Sequence, residues 1–316
     1  MSGSASSPAE DAHAPVRRQA RHAFAGRAVV ATAVIIVFAA LAWADATAVW
    51  AAPPAWWLLP VAALLAAIGA GELTVLLAAA GRPVAAPLVV GGAVGIVLAA
   101  AVGGEAPAVS PAPLGWVPAA CMATLAACFV EGVARYRPGA GVLGRAAAGA
   151  IAAVGVGLPL AFLVGLRLVA RRGATGGTEP LGLLPLVSLV AVVKSGDIAA
   201  YVFGSLVGRH RMAPLVSPGK TWEGGLAAVV AAVAVAWVVL DRIAWPTAGR
   251  PWGGWPAYGL CVGVAGMLGD LAESLVKRDL GAKDSGRSLG GLGGVLDLVD
   301  AFLLAAPVAW LLWVAG

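Results

Sequence analysis

Ten charged residues crowd the stretch Gly269–Ala301, GDLAESLVKRDLGAKDSGRSLGGLGGVLDLVDA, between two apolar runs. Carboxylates stand at its ends (Asp270 and Glu273, then Asp297 and Asp300), and basic residues Lys277, Arg278 and Lys283 stand between them. A glycine-rich run, Gly290, Gly291, Gly293 and Gly294, precedes the last two acids. A charge near hydrocarbon is expensive unless it is paired or wet, so apolar composition does not produce such a cluster. The layout suits a polyphosphate held between a divalent cation and cationic side chains.

A second unusual stretch runs from Lys194 to Gly225, KSGDIAAYVFGSLVGRHRMAPLVSPGKTWEGG. Asp197, Tyr201 and Gly204 recur at i, i+4 and i+7 and so share one helix face. Gly208 and Arg209 end that helix. The loop after it reads Ser217-Pro218-Gly219-Lys220-Thr221-Trp222-Glu223-Gly224. Pro218-Gly219 predicts a turn, and Ser217 or Thr221 predicts a cap for the next helix, with Glu223 in its first turn. Free N–H groups at that helix start, with Lys220 beside them, would make a phosphate site. It is no Walker loop, because Pro214 stands where that motif needs its first glycine. A basic loop that only sets membrane orientation is the plainer alternative.

The elements that must hold these residues are membrane helices. Sixty per cent of the 316 residues are hydrophobic and 12% are charged, about half the charge of a soluble domain. Several apolar runs reach the roughly 20 residues that cross a bilayer as a helix, and none alternates as a barrel strand would. The expected fold is therefore an all-α polytopic membrane protein of about nine spans, near 28–50, 55–80, 84–102, 115–134, 146–170, 181–206, 224–243, 257–276 and 297–315. Residues 1–24 read as a disordered tail, 25–175 as N-terminal transmembrane helices, and 176–316 as a C-terminal catalytic region. The first apolar run is long enough to be a retained helix rather than a cleaved signal.

With the amino terminus cytoplasmic, fifteen lysines and arginines fall inside and five outside (Arg167, Arg171, Arg172, Arg242 and Arg250), as the positive-inside rule asks. Loops 207–222 and 277–296 then both face the cytoplasm. Tryptophans 50, 56, 57, 116, 245, 252, 255, 310 and 313 fall near the outer surface, where an aromatic belt is expected. The net charge of +5 reflects loop orientation, and no nucleic-acid partner is expected. Cys121, Cys128 and Cys261 lie in apolar runs without metal-ligand spacing. Asp45 and Glu72 interrupt apolar helices: the first reads as an interfacial acid, the second as functional or paired.

Taken together, the two stretches resemble the phosphatidate cytidylyltransferases, also called CDP-diacylglycerol synthases. The carboxy-terminal signature of that family is matched by Ser274, Lys277, Arg278, Lys283, Asp284, Gly291, Gly293, Gly294, Leu296, Asp297 and Asp300. Its upstream pattern is matched by Asp197, Ala200, Tyr201, Gly208, Arg209, Ser217, Pro218, Lys220, Thr221, Trp222, Glu223 and Gly224. Gly290, Leu292 and Leu298 stand where the family has proline, histidine and arginine. The match covers roughly 195–301; upstream, only the count of spans is similar.

The resemblance implies transfer of CMP from CTP to phosphatidate, giving CDP-diacylglycerol and pyrophosphate in phospholipid biosynthesis at the cell membrane. It implies Mg²⁺ held by Asp270, Asp297 and Asp300. Lys220, Lys277, Arg278 and Lys283 are candidates for the substrate phosphates, with Asp284 orienting Lys283 or ligating metal. Ser217, Thr221, Asp197, Tyr201 and Arg209 complete the substrate-binding set. Mutual pairing is the plainer reading of Glu273, Asp279 and Arg287. CTP, phosphatidate and membrane lipids are the expected partners, and a homodimer is left open. Two rival readings remain: a CTP-dependent enzyme acting on an isoprenoid or ether lipid, and a divalent-cation transporter. The transporter reading explains the acids but not the cations packed between them.

Overall fold

The computed structural model describes residues 55–105, 114–138, 141–172, 178–244, 249–286 and 293–316, with a few positions between 40 and 47. The expected tail, nearly all of the first expected span, Asp45, Arg287 and the run Gly290–Leu292 lie outside the described residues.

Four helices come first: α1 Leu58–Ala79, α2 Ala86–Glu105, α3 Val117–Ala134 and α4 Val142–Arg167. A short hairpin, β1 Ala170–Arg172 with β2 Thr178–Pro180, leads to α5 Leu184–Val207. A second hairpin, β3 Arg211–Ala213 with β4 Ser217–Thr221, enters α6 Trp222–Trp237, which runs on as a π-helical turn, Val238–Ile243. Then come α7 Gly254–Asp279, α8 Val295–Val299 and α9 Phe302–Val314.

Seven helical segments among the described residues are long and apolar enough to cross a membrane: α1, α3, α4, α5, α6 with its π turn, α7, and α8–α9 together. The apolar part of α2, Ala86–Val102, is shorter. These segments fall at the second to ninth expected spans.

Three local expectations change. The fold is not purely helical, because loop 207–222 contains a hairpin. Its turn is at Pro214–Val216, while Pro218 and Gly219 lie in a strand. α7 continues to Asp279, so Lys277 and Arg278 sit in its last turn, where cations oppose the negative helix end. Gly281, at φ +70°, stops it there, with Ala282 N–H donating to the Lys277 carbonyl at 2.8 Å. Trp313 is buried against Tyr258 and so is not an exposed ring of a surface belt, while the partly exposed Trp310 packs on Phe162. Trp56, Trp116 and Trp252 are exposed as a belt requires.

Two large apolar cores result, with a small third cluster of Cys128, Ala146 and Ala150 between α3 and α4. The first joins α1–α4 through residues such as Ala70, Val97 and Leu160. The second joins the end of α4 to α5, α6, α7 and α9 through Leu189, Tyr258 and Ala305. The α8–α9 pair serves both, with Leu296 and Val299 in the first and Phe302 onward in the second. Small residues let the backbones approach, as membrane helices require without a hydrophobic drive between them. A Cβ at Gly157 would lie 2.7 Å from the Ala93 carbonyl oxygen, and one at Gly269 would lie 2.7 Å from that of Asp300. The second approach brings Asp270, next in sequence to Gly269, up to the α8–α9 junction.

Candidate active site

A cavity of about 590 Å³ opens between α5, α6, α7 and the β3–β4 hairpin. Asp197, Tyr201, Ser217, Lys220, Thr221 and Asp270 line it. The helical spacing of Asp197 and Tyr201 thus resolves as one wall, contributed by α5. β4 supplies Lys220, and α7 supplies Asp270. Lys220 Nζ lies 2.7 Å from Asp270 Oδ2, with both side chains partly exposed, so the two motif stretches meet in one ion pair.

Local sequence explains this arrangement. Gly224 packs so closely on α5 that a Cβ there would lie 2.8 Å from the Ala200 carbonyl oxygen. That contact draws the start of α6 against the wall carrying Asp197 and Tyr201. Thr221 caps α6, accepting the Gly224 N–H at 3.2 Å, as expected. The free helix N–H groups expected beside Lys220 are largely taken: Trp222 N–H donates to the His210 carbonyl at 3.0 Å and Gly224 N–H to Thr221. Glu223 also occupies this corner, accepting from the Arg209 and His210 backbone N–H groups at 3.2 and 3.3 Å. An anion in the cavity therefore meets Lys220 rather than a bare helix end.

A second polar cluster lies beyond Asp270, deeper in the fold. Lys277 Nζ sits 2.5 Å from Glu273 Oε2 and 2.7 Å from Asp297 Oδ1. The other Asp297 oxygen accepts from Gly294 N–H at 2.7 Å and Ser285 Oγ at 2.9 Å. Glu72, buried on α1, accepts the N–H groups of Val295 and Leu296 at 3.0 and 3.1 Å and so holds the start of α8. A Cβ at Gly286 would lie 2.7 Å from Glu72 Oε1, which explains glycine there. The pairing readings of Glu72 and Glu273 hold, and Asp279 likewise pairs with Arg82 at 2.9 Å.

Asp300 belongs to neither cluster alone. Its Oδ1 accepts the Ala301 N–H at 2.5 Å, and the side chain is within electrostatic reach of Asp270, Asp197 and Lys194. Lys194 pairs with Asp197 at 3.0 Å and lies over the Phe302 ring.

The expected metal triad is thus divided. Among the described residues no three His, Cys, Asp or Glu side chains group to hold a metal ion. Asp297 is the member set apart, because Lys277, Ser285 and Gly294 engage both of its oxygens. Asp270 and Asp300 repel one another, and among the described residues Asp270 has a single cationic partner in Lys220. Asp270 lines the cavity, and Asp300, which does not, is within its electrostatic reach; such a pair fits Mg²⁺, which commonly takes one or two carboxylates and completes its shell with water and phosphate oxygens.

Of the other expected residues, Arg278 donates from Nε to the Val216 carbonyl at 3.2 Å and ties the end of α7 to the hairpin. Lys283 and Asp284 are exposed in the turn after α7, and the Arg209 side chain is exposed outside the cavity. Lys194 and Ser285 went unassigned in the sequence. The spacing of Lys194 to Asp197 (i, i+3) was the available signal for the first; nothing local marked the second.

This arrangement defines a polytopic α-helical membrane protein with a charge-lined cavity at one end of its bundle. The chain belongs to the cytidylyltransferase family, whose model matches residues 26–315. Among similar proteins, the phosphatidate cytidylyltransferase of Brucella suis is 47% identical over 137 residues, which are 43% of this chain and 48% of that protein. That of Synechocystis is 37% identical over 135 residues, 42% of this chain and 43% of that protein. That of Mycobacterium bovis is 40% identical over 123 residues, 39% of each. The matched part thus spans about half the length of these relatives or less.

Proposed function

We propose that this chain transfers the CMP moiety of CTP to phosphatidate, giving CDP-diacylglycerol and pyrophosphate. Family membership and the phosphatidate cytidylyltransferases among the similar proteins support the reading. The observation that carries it is the meeting of Lys220 and Asp270, from separate motif stretches, in one cavity.

A phosphate oxygen of phosphatidate forms a bond to the α-phosphorus of CTP, and the bond from that phosphorus to the α–β bridging oxygen breaks, releasing pyrophosphate. Both reactants are anions, so positioning and charge neutralisation dominate the barrier. Lys220 exchanges Asp270 for a phosphate oxygen when substrate enters. Asp270 and Asp300 would hold Mg²⁺, and the chemistry it would supply there is neutralisation of phosphate charge. Asp297 positions rather than ligates, through α8 and Lys277. Tyr201, on the α5 wall and 78% exposed, is placed to face substrate rather than core.

In this reading the cavity faces the cytoplasm, where CTP is, and the amino terminus lies on the same side of a nine-span cell-membrane protein. The test is incorporation of radiolabelled CTP into lipid by the purified full-length chain. Label in phosphatidate-derived product with release of pyrophosphate is the expected result. Label only in a polyprenyl or ether-lipid acceptor would move the chain to the isoprenoid or ether-lipid reading.

A further inference from the structure

A second cavity, of about 470 Å³, lies away from the first, between the α1–α2 turn, α2, the end of α3 and the start of α4. Arg135, Arg137 and Arg145 line it, with Tyr136 and Glu131. Its floor is apolar, including the buried Val89, Cys128 and Ala146. Arg135 pairs with Glu131 at 3.2 Å, while among the described residues neither Arg137 nor Arg145 has an ion-pair partner. Three guanidiniums thus face one carboxylate.

The position of this cavity is fixed by a contact at its edge. Arg82, adjoining the lining residue Pro83, reaches Asp279 at the end of α7. Arg278, next to Asp279, donates to Val216 in the hairpin beside the first cavity, so both cavities lie toward the same end of α7.

We propose that this second cavity is a lipid site, separate from the reacting one, that holds the phosphate headgroup of an anionic glycerophospholipid. Guanidinium forks match phosphate oxygens in pairs, and basic pockets between transmembrane helices are suited to such headgroups. The volume falls in the range of about 300–1,000 Å³ usual for bound small molecules. The apolar floor selects a lipid over a soluble phosphate: it covers the glycerol and first acyl carbons, whereas a free anion would leave it wet. The site asks nothing of the CMP-transfer reading, and its test measures binding rather than turnover.

The experiment follows thermal unfolding of the full-length protein in neutral detergent with dioctanoyl phosphatidylglycerol, dioctanoyl phosphatidylcholine or glycerol 3-phosphate added. Phosphatidylglycerol raises the midpoint in a saturable way and the other two do not. In Arg137→Gln/Arg145→Gln the apparent Kd weakens by about tenfold or more, while Lys220→Ala leaves it unchanged. Arg137→Gln alone changes one exposed residue, leaves the packing intact and weakens the Kd by about threefold or more, so a double variant that fails to fold does not decide the matter. Unaltered phosphatidylglycerol affinity in Arg137→Gln, loss of affinity in Lys220→Ala, or equal stabilisation by glycerol 3-phosphate would each overturn the proposal.

Discussion

Lys220 and Lys277 are both lysines paired with aspartates, yet they are held in opposite ways. Among the described residues Lys220 has one acidic partner, Asp270, and it lines an open cavity. Lys277 is 14% exposed and has two, Glu273 and Asp297, the second of which also caps backbone and hydroxyl donors. A charge with one exchangeable partner can trade it for a substrate oxygen at little cost. A charge enclosed by two carboxylates cannot leave without stranding them. In the proposed reaction the same residue types would therefore serve chemistry in one place and architecture in the other, and what distinguishes them is the number of partners among the described residues rather than the motif.

The largest effect should come from breaking the enclosed cluster. Lys277→Met leaves the buried Glu273 and the half-buried Asp297 without their cation, and should cost about 3–5 kcal/mol of stability. The check is thermal unfolding of the variant in detergent; a midpoint within error of the wild type would mean that these acids find other partners. Lys220→Ala should do the reverse. Its unfolding midpoint stays near normal, while kcat/KM for CTP falls by about 10²–10³, the usual loss when one preorganised charge is removed from a transition state. Wild-type kinetics for Lys220→Ala would reduce the hairpin to an orienting loop.

Glu72→Ala tests whether the enclosed cluster extends to α1. Its loss leaves two α8 N–H groups unpaired in a buried place and should cost about 1–3 kcal/mol. Glu72→Gln, which still accepts with one oxygen, should cost less. Equal effects of the two changes would show that charge, not hydrogen bonding, holds α8.

The membrane class and nearly all the span positions among the described residues were legible because long apolar runs declare themselves. Asp197, Tyr201 and Thr221 were legible too, since helical spacing and capping are local. What hid was pairing across the fold. Lys277 and Asp297 are twenty residues apart and Glu72 is far upstream of α8, so no period or local spacing marks their contacts. The hairpin at 207–222 hid for a different reason. Its strands are short, and Pro218-Gly219 imitates a turn while a strand runs through it. The α6 start looked like a bare anion site because the sequence does not show that Trp222 and Gly224 have already given their N–H groups to His210 and Thr221.

The smallest effect is the most discriminating. Asp297→Asn keeps an oxygen for Gly294 and Ser285 and turns an amide toward Lys277, which still has Glu273. Losing one charge-assisted bond of several should cost about 1–3 kcal/mol at most, leaving the protein folded. If Asp297 only holds α8 and Lys277, the Mg²⁺ concentration giving half-maximal activity stays where it was. Asp300→Asn, by contrast, removes the carboxylate that lies within electrostatic reach of Asp270 and should raise that concentration, because an amide is a weak ligand for a hard cation. The comparison turns on the two Mg²⁺ titrations, not on the absolute rates, since any disturbance of α8 lowers the rates of both. Should Asp297→Asn shift the Mg²⁺ requirement as far as Asp300→Asn, then Lys277 must release Asp297 to the metal during the reaction. The enclosed cluster and the open cavity would then be two states of one site.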